Sequence, residues 1–435
     1  MKRSLRRFHL YPAAAATAAA ALLLAGCSAA APGSDLGPID DPQAVAGTVT
    51  VLTWEGANTA LEAIVPAFEE EYPNLKVDLQ VIGYDDVSTR LTVGLQSGAD
   101  LPDVVAVTGE RVKTVTENFP EGFVDLSVFG LDERQDEWAD SKWPALTGPD
   151  VQLFGVPWDV APVALYYRTD LFEAAGIDAA SIHTWDDYLA AGDLLARDGY
   201  KLFPIEVDTS QAFSILLQQQ GESYFTDDGE SNLASDAAIE TATRLQSAVD
   251  GGYAEIVNNW DAMLASLKSG DVATHIMPVW FAGILEGAAP ELEGKWGVIE
   301  LPAAEAGGVR ASNQGGSNLL IPAKSKNPEG GYLFATFALG EASSANTMME
   351  LGNMSSLLAA SSEPAFTTDV PYYGGQKVWQ LFASTISDIP AVPLTADYDK
   401  ADQIVIDAIG NILVSGADPR STLKDASAQL TSQID

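Results

Sequence analysis

The hydrophobic period switches repeatedly between Thr48 and Val107, and this constrains the fold more than any other feature of the chain. Residues 48–54 are mostly apolar and β-branched, as a strand requires. After Gly56, Leu61, Ile64, Val65 and Phe68 recur at helical spacing, and the run stops at Tyr72-Pro73 because proline disfavours helix in the residue before it. Leu75, Val77, Leu79 and Val81 alternate as a second strand. Val87, Leu91 and Leu95 stripe a helix over 85–96, and residues 103–107 form a third, buried strand. A βαβαβ run predicts a parallel sheet with right-handed crossovers.

A second α/β unit follows a break rich in Trp, Pro and Gly at 143–157. Residues 163–167, 202–207, 272–279 and 296–301 read as its strands. Thr184 opens a helix with Asp187 near a capping-box position, and further helices are expected over 235–249 and 259–269, the last closed by Gly270. Residues 303–316 are loop-like and 317–322 return to strand. Asn327-Pro328 then opens a helical tail whose last helix starts at Asp418-Pro419. No fixed-period repeat appears, which argues against solenoids and propellers.

Charge narrows the function. The 435 residues hold 23 Lys and Arg against 61 Asp and Glu, a formal net charge of −38. Nucleic acids and anionic membranes bind through Lys and Arg, so neither is expected as a partner. With 47% hydrophobic and 19% charged residues the chain can bury large cores, and its length suits two or three domains.

The single cysteine, Cys27, excludes an internal disulfide. Lys2, Arg3, Arg6 and Arg7 precede an apolar run over 13–24, which is short of the roughly 20 residues that span a bilayer. This reads as a secretory signal over 1–26. Leu24-Ala25-Gly26-Cys27 resembles a bacterial lipobox, which implies lipidation at Cys27. Residues 27–46 read as a flexible tether, reaching on the order of 25 Å. The expected location is therefore extracytoplasmic, with a lipid anchor on the outer face of the bacterial cytoplasmic membrane and no other membrane contact.

In open α/β sheets, ligands bind beyond the carboxyl ends of the strands, where loops and helix N-termini converge. That rule selects Trp54 and Glu55 after the first strand and Glu110 after the third. In the second unit it selects Trp158, Asp159, Glu206, Asp208 and Trp280. Indole rings offer a platform to the C–H face of a sugar, and carboxylates accept from its hydroxyl rim, so a neutral carbohydrate fits. The same groups also suit a polyamine or other small cation, which stays open as an alternative. Trp138, Trp143 and Trp185 read as packing residues.

No nucleophile elbow, zinc-protease helix, phosphate loop or dinucleotide fingerprint occurs, and of three histidines His183 and His275 read as structural. The expectation is a protein that is not an enzyme, without metal or cofactor. A secreted glycosidase with an acid pair stays open, because spatial separation is not visible in sequence.

Several stretches, taken in order, carry a family resemblance. They are Val51-Leu52-Thr53-Trp54, Leu101-Pro102-Asp103-Val104, Gly155-Val156-Pro157-Trp158-Asp159 continuing to Phe172, Thr184-Trp185-Asp186-Asp187-Tyr188, Gly315-Gly316-Ser317-Asn318, Ser325-Lys326-Asn327-Pro328 and Tyr373-Gly374-Gly375-Gln376. With the lipobox, the chain resembles the family 1 extracellular solute-binding proteins of carbohydrate ABC importers, related to maltose-binding protein. The resemblance implies a two-lobed α/β periplasmic-binding-protein-like fold of class II. Each lobe would be a mostly parallel sheet flanked by helices, with hinge crossovers between lobes. It places residues 47–156 and 311–368 in lobe one, and 157–310 and 369–435 in lobe two. It also implies a monomer that closes on a sugar or oligosaccharide and docks on a permease pair driven by a cytoplasmic ATPase. By the same resemblance Trp158 and Asp159 line the cleft, Trp280 stacks on the sugar, Gly315, Gly316 and Ser317 bring backbone donors to it, and Tyr373 joins the site. Asn313-Gln314 depart from the pattern where many relatives carry an aromatic residue.

Overall fold

Two sheets of one design organise the chain in the computed structural model, which describes residues 36–434. The signal-like segment, Cys27 and the start of the expected tether lie outside the described residues. The strands are β1 Gly47–Trp54, β2 Leu75–Ile82, β3 Val104–Thr108, β4 Gly155–Pro157, β5 Val163–Arg168, β6 Phe203–Glu206, β7 Ala254–Val257, β8 Thr274–Pro278, β9 Trp296–Glu300 and β10 Ser317–Leu320.

In the first lobe β1 pairs in parallel with β2, Gly47 opposite Leu75, and with β3, Val51 opposite Val104. This is the expected βαβαβ unit. Strand β10 lies between β3 and β4 and runs against both, giving the order β2-β1-β3-β10-β4. In the second lobe β5 runs against β8 and β9, while β6 and β7 are parallel. A parallel bridge from Lys201 to Val272, with Thr274 N–H donating to Leu202 O at 2.8 Å, joins β8 to β6. The second order is therefore β7-β6-β8-β5-β9.

A mostly parallel sheet thus describes strand direction in each lobe, and a single antiparallel strand is inserted in each. These are the strands the chain enters on crossing between lobes, β5 after residues 158–162 and β10 after residues 301–316. Each starts at the interlobe end of its sheet, so it runs against strands reached through their own helices.

Local chemistry explains the helix ends. Thr184 and Asp187 complete a capping box, with Asp187 accepting from Thr184 N–H at 2.9 Å and Thr184 from Asp187 N–H at 3.2 Å. Asn259 caps the helix Trp260–Ser269, and Gly270 closes it at φ +80°, a conformation costly for any side chain. At the start of β3 the buried Asp103 carboxylate accepts from Thr50 N–H and O–H, Ser325 O–H, and the N–H groups of Lys326 and Asn327, all at 2.7 to 2.9 Å. One side chain thereby fixes β1, β3 and the opening of the helix Pro328–Gly340 together.

A single apolar cluster runs from Val51, Val104 and Leu319 of the first sheet through Trp158 to Tyr166, Trp296 and Val298 of the second. The far end of the expected tether lies on this body. Leu36, Ile39 and Val45 pack against the cluster, and Gln43 donates to Glu71 O while Asn74 donates to Gln43 O.

Candidate functional site

A cavity of about 300 Å3 opens where the lobes meet. The helix Gly109–Asn118, which leaves β3 directly, gives it Glu110; the turn Asp140–Lys142 gives Lys142; and the first crossover gives Asp159 and Val160. The helix Gln211–Gln219 brings Ser214 and Gln218, and the return crossover brings Asn313, Gln314 and Gly315. Tyr224, Phe225, Tyr398 and the proline-containing segment 389–394 form the remaining wall. At about 30 Å3 per water the space is on the order of ten waters, enough for one or two sugar rings.

The floor is braced by hydrogen bonds within the protein. The Asp159 carboxylate accepts from Ser317 N–H, and Lys142 Nζ donates to Asp159 O at 2.9 Å and Ser317 O at 3.1 Å. Gly109 N–H donates to Gly316 O at 2.6 Å. Gln218 Oε1 accepts from Asn313 N–H at 2.7 Å and from Ser312 O–H at 2.9 Å, and Ser214 O–H donates to Gln314 Oε1 at 2.9 Å. The return crossover is therefore pinned to a second-lobe helix on one side and to the first lobe on the other.

Two oxygens in this lining are buried without a hydrogen-bond partner among the described residues, Glu110 Oε2 and Asn318 Oδ1. Both oxygens are sealed from solvent, Asn318 being 0% exposed, so they are a cost carried by the fold rather than acceptors open to the cavity. Burial pushes the Glu110 carboxyl up despite Arg111 and Lys142 nearby, and burial likewise pushes Asp159 up against the pull of Lys142. Lys142 is pushed down to about 8 by burial.

The expected site residues divide. Glu110, Asp159 and Gly315 line the cavity. Trp280 comes to its edge: its indole N–H donates to Gln314 O at 3.2 Å. A methyl built on Gly315 would lie 3.6 Å from Trp280 Nε1 and 4.0 Å from Glu110 Oε1. An indole from one lobe and a carboxylate from the other therefore meet across the return crossover. Trp260 sits 6.1 Å from Trp280, and both pack against the apolar cluster. Trp54 is half-buried against Tyr84, edge-on at 5.4 Å, in a small neighbouring hollow with Arg111 and Asp399.

Other expectations need correction. Trp158 is 1% exposed inside the apolar cluster and presents no face to the cavity, because its backbone is clamped between Ser317 O and Ser356 N–H. Tyr373 is also buried, its hydroxyl donating to Ala282 O at 2.8 Å. Ser317 N–H is engaged by Asp159, so that backbone donor is not open to a ligand, while the Gly316 and Ser317 carbonyls accept from Gly109 and Lys142. Glu206 lies in a separate small hollow beside Trp185, His275 and Met277, where burial and then Asp208 raise its carboxyl to about 7. Asp208 and Glu55 are exposed and line none of these spaces.

Sequence reasoning missed Lys142, Asn318, Tyr224 and Tyr398. Tyr224 and Tyr398 stack on each other at 5.6 Å and 17°, with Tyr398 the more exposed of the two. Asn318 stands in the stretch Gly315-Gly316-Ser317-Asn318, and its place in the strand after paired glycines was the available signal. The others depend on long-range packing and left none. Trp138 and Trp185 are core residues as expected, Trp143 packs against Trp138, and His275 is buried in β8 with its ring pushed down to about 3.

Residues 53–345 match the family model of the bacterial extracellular solute-binding protein. The lactose-binding protein of Rhizobium radiobacter is 29% identical over 403 residues, covering 90% of this chain and 94% of that one. The arabinooligosaccharide-binding protein of Bacillus subtilis is 25% identical over 331 residues, 73% of each chain. Among solved structures, the GacH receptor of Streptomyces glaucescens superposes with a TM-score of 0.79 at 17% identity, covering 90% of this chain and all of that one. The ABC transporter associated binding protein of B. animalis subsp. lactis, solved with β-1,6-galactobiose, superposes with a TM-score of 0.78 at 21% identity, covering 89% and 97%. With the family model spanning well over half its length, the chain belongs to the bacterial extracellular solute-binding proteins.

Proposed function

We propose that this protein captures a sugar or short oligosaccharide in the interlobe cavity and delivers it to an ABC importer. The observation that carries the reading is the cavity between the lobes, lined by Glu110, Asp159, Ser214, Gln218 and Asn313 beside Tyr398, with the Trp280 indole at its edge. Hydroxyl donors and a C–H ring face complement that combination. Relatives named for lactose and arabinooligosaccharide binding support the ligand class. Ligand contacts to both lobes would favour the closed state, since only differential contact shifts such an equilibrium.

In the same reading the lobes comprise 47–156 with 311–368 and 157–310 with 369–435. Cys27 carries the lipid, the protein works as a monomer, and a permease pair with its ATPase receives the ligand. It binds without chemistry, so an incubated sugar should be recovered unaltered. Titration with lactose, β-1,6-galactobiose and arabinooligosaccharides, followed by calorimetry and tryptophan fluorescence, tests the proposal. Saturable binding of one of them supports it; no heat and no thermal shift with any of them sinks it.

A cationic ligand is the second reading, favoured by Glu110, Asp159 and Glu222 in the lining and opposed by Lys142. Its binding would weaken steeply with salt, whereas sugar binding would barely respond.

A further inference from the structure

Lys142 is the one cation lining the cavity among the described residues, and it touches both strands of the hinge. Its two carbonyl acceptors lie on different crossovers, Asp159 on the way from β4 to β5 and Ser317 where the return becomes β10. An ammonium has three N–H donors, and the third finds no protein acceptor among the described residues. Glu110 lines the same cavity and stands close enough to Lys142 to act on its charge. The charged groups facing Lys142 are Asp159 on the first crossover and Glu110 at the start of the helix after β3, with Glu222, Tyr224 and Tyr398 across the cavity. Among the described residues no carboxylate hydrogen-bonds the ammonium directly, and a buried cation held only by carbonyls is an expensive way to brace a fold.

We propose that Lys142 couples ligand capture to the hinge: a ligand hydroxyl that donates to the Glu110 carboxylate accepts the remaining Lys142 N–H, bringing both crossovers and the ligand onto one ammonium. This rests on the saccharide reading and specifies how that ligand is sensed. A hydroxyl both donates and accepts, so it satisfies both sides of the floor. A ligand ammonium would satisfy Glu110 but offer Lys142 nothing, and an anion would satisfy Lys142 while opposing Glu110. The deep end of the ligand is therefore an uncharged hydroxylated ring.

The test compares the parent protein with Lys142→Met. Whichever of lactose, β-1,6-galactobiose or arabinooligosaccharide binds the parent is titrated at pH 7 and pH 9.5, on either side of the Lys142 value of about 8. Parent affinity should fall about tenfold at the higher pH, as the ammonium loses its charge. Lys142→Met should bind about tenfold or more weakly at pH 7 and show no such pH dependence. Without sugar, hydrogen exchange at the amides of Trp158 and Ser317 should be faster in Lys142→Met. Parent affinity unchanged between the two pH values, a Met variant that binds within about twofold of the parent, or unchanged exchange at those amides would each overturn the coupling. If none of these sugars binds the parent, the saccharide reading falls, and the exchange comparison alone decides whether Lys142 ties the crossovers.

Discussion

The Arg111 guanidinium lies 3.2 Å from the Asp399 carboxylate, joining the helix that leaves β3 to the helix Tyr398–Ser415. Arg111 is already held by Ser88 at 2.8 Å and by the Tyr84 ring at 4.7 Å, so Asp399 supplies the contact between elements. Both side chains are partly exposed, which limits the pair to about 0.2–1 kcal/mol. Asp399→Asn should weaken ligand binding by no more than about fivefold at low salt and enlarge the unliganded particle in small-angle scattering. Added salt should erase the difference from the parent. Equal affinity and equal dimensions at low salt would show that the pair does not bias closure.

Trp158 and Trp280 should separate stability from binding. Trp158→Ala empties a site in the shared apolar cluster and should cost about 3–5 kcal/mol in denaturant unfolding. Trp280→Ala removes a half-buried ring at the cavity edge and should weaken sugar binding by about 1–3 kcal/mol, with a much smaller change in unfolding. The reverse pattern would put the binding surface in the wrong place.

Asp103 makes a stability prediction with a definite sign. Burial alone would raise its carboxyl, but the hydrogen bonds from Thr50, Ser325 and Asn327 outweigh it and hold it below the usual carboxylate value. Its contribution should be complete above the unfolded value near 3.8 and be lost as pH falls through the lower folded value. Asp103→Ala should cost about 3 kcal/mol or more at pH 7, because several donors lose their acceptor together. Chemical unfolding from pH 7 to pH 3 checks both claims, and a constant penalty over that range would contradict the second.

Glu206 runs the other way. Its folded value of about 7 exceeds the ordinary 4.5, so the folded state binds the extra proton and stability falls as pH rises between them. Glu206→Gln, which mimics the protonated side chain, should gain about 2–3 kcal/mol at pH 8 and little at pH 5. Melting curves at the two pH values read this directly, and an equal gain at both would rule out the titration.

Much of the architecture was legible because it is local. The switch from the helical stripe ending at Phe68 to the alternation of Leu75, Val77 and Leu79 specifies β1, β2 and their connecting helix without tertiary information. The capping residues Thr184 and Asn259 did the same for two later helices. The short strand β4 was hidden in a stretch rich in Trp, Pro and Gly, since three residues carry no period. The strand-end rule reached the cavity through Glu110 and Asp159, and the family resemblance through Gly315, but neither could tell a ring facing the gap from one buried behind it. Trp158 and Trp280 both follow or end strands in sequence; only the clamp of Trp158 between Ser317 and Ser356 sends its indole inward.

The placement of β10 has a consequence for how the molecule forms. Asn318 reaches back to the carbonyl of Val107, 211 residues earlier, and β4 joins the first sheet only through β10. During synthesis the amino-terminal part therefore emerges as an incomplete sheet, with the β3 edge unpaired until β10, at residues 317–320, has been made. Such non-local pairing slows folding, and a nascent chain that cannot lock early stays pliable for longer. The same threading that gives the protein its hinge would keep its first sheet unfinished until the second has been made.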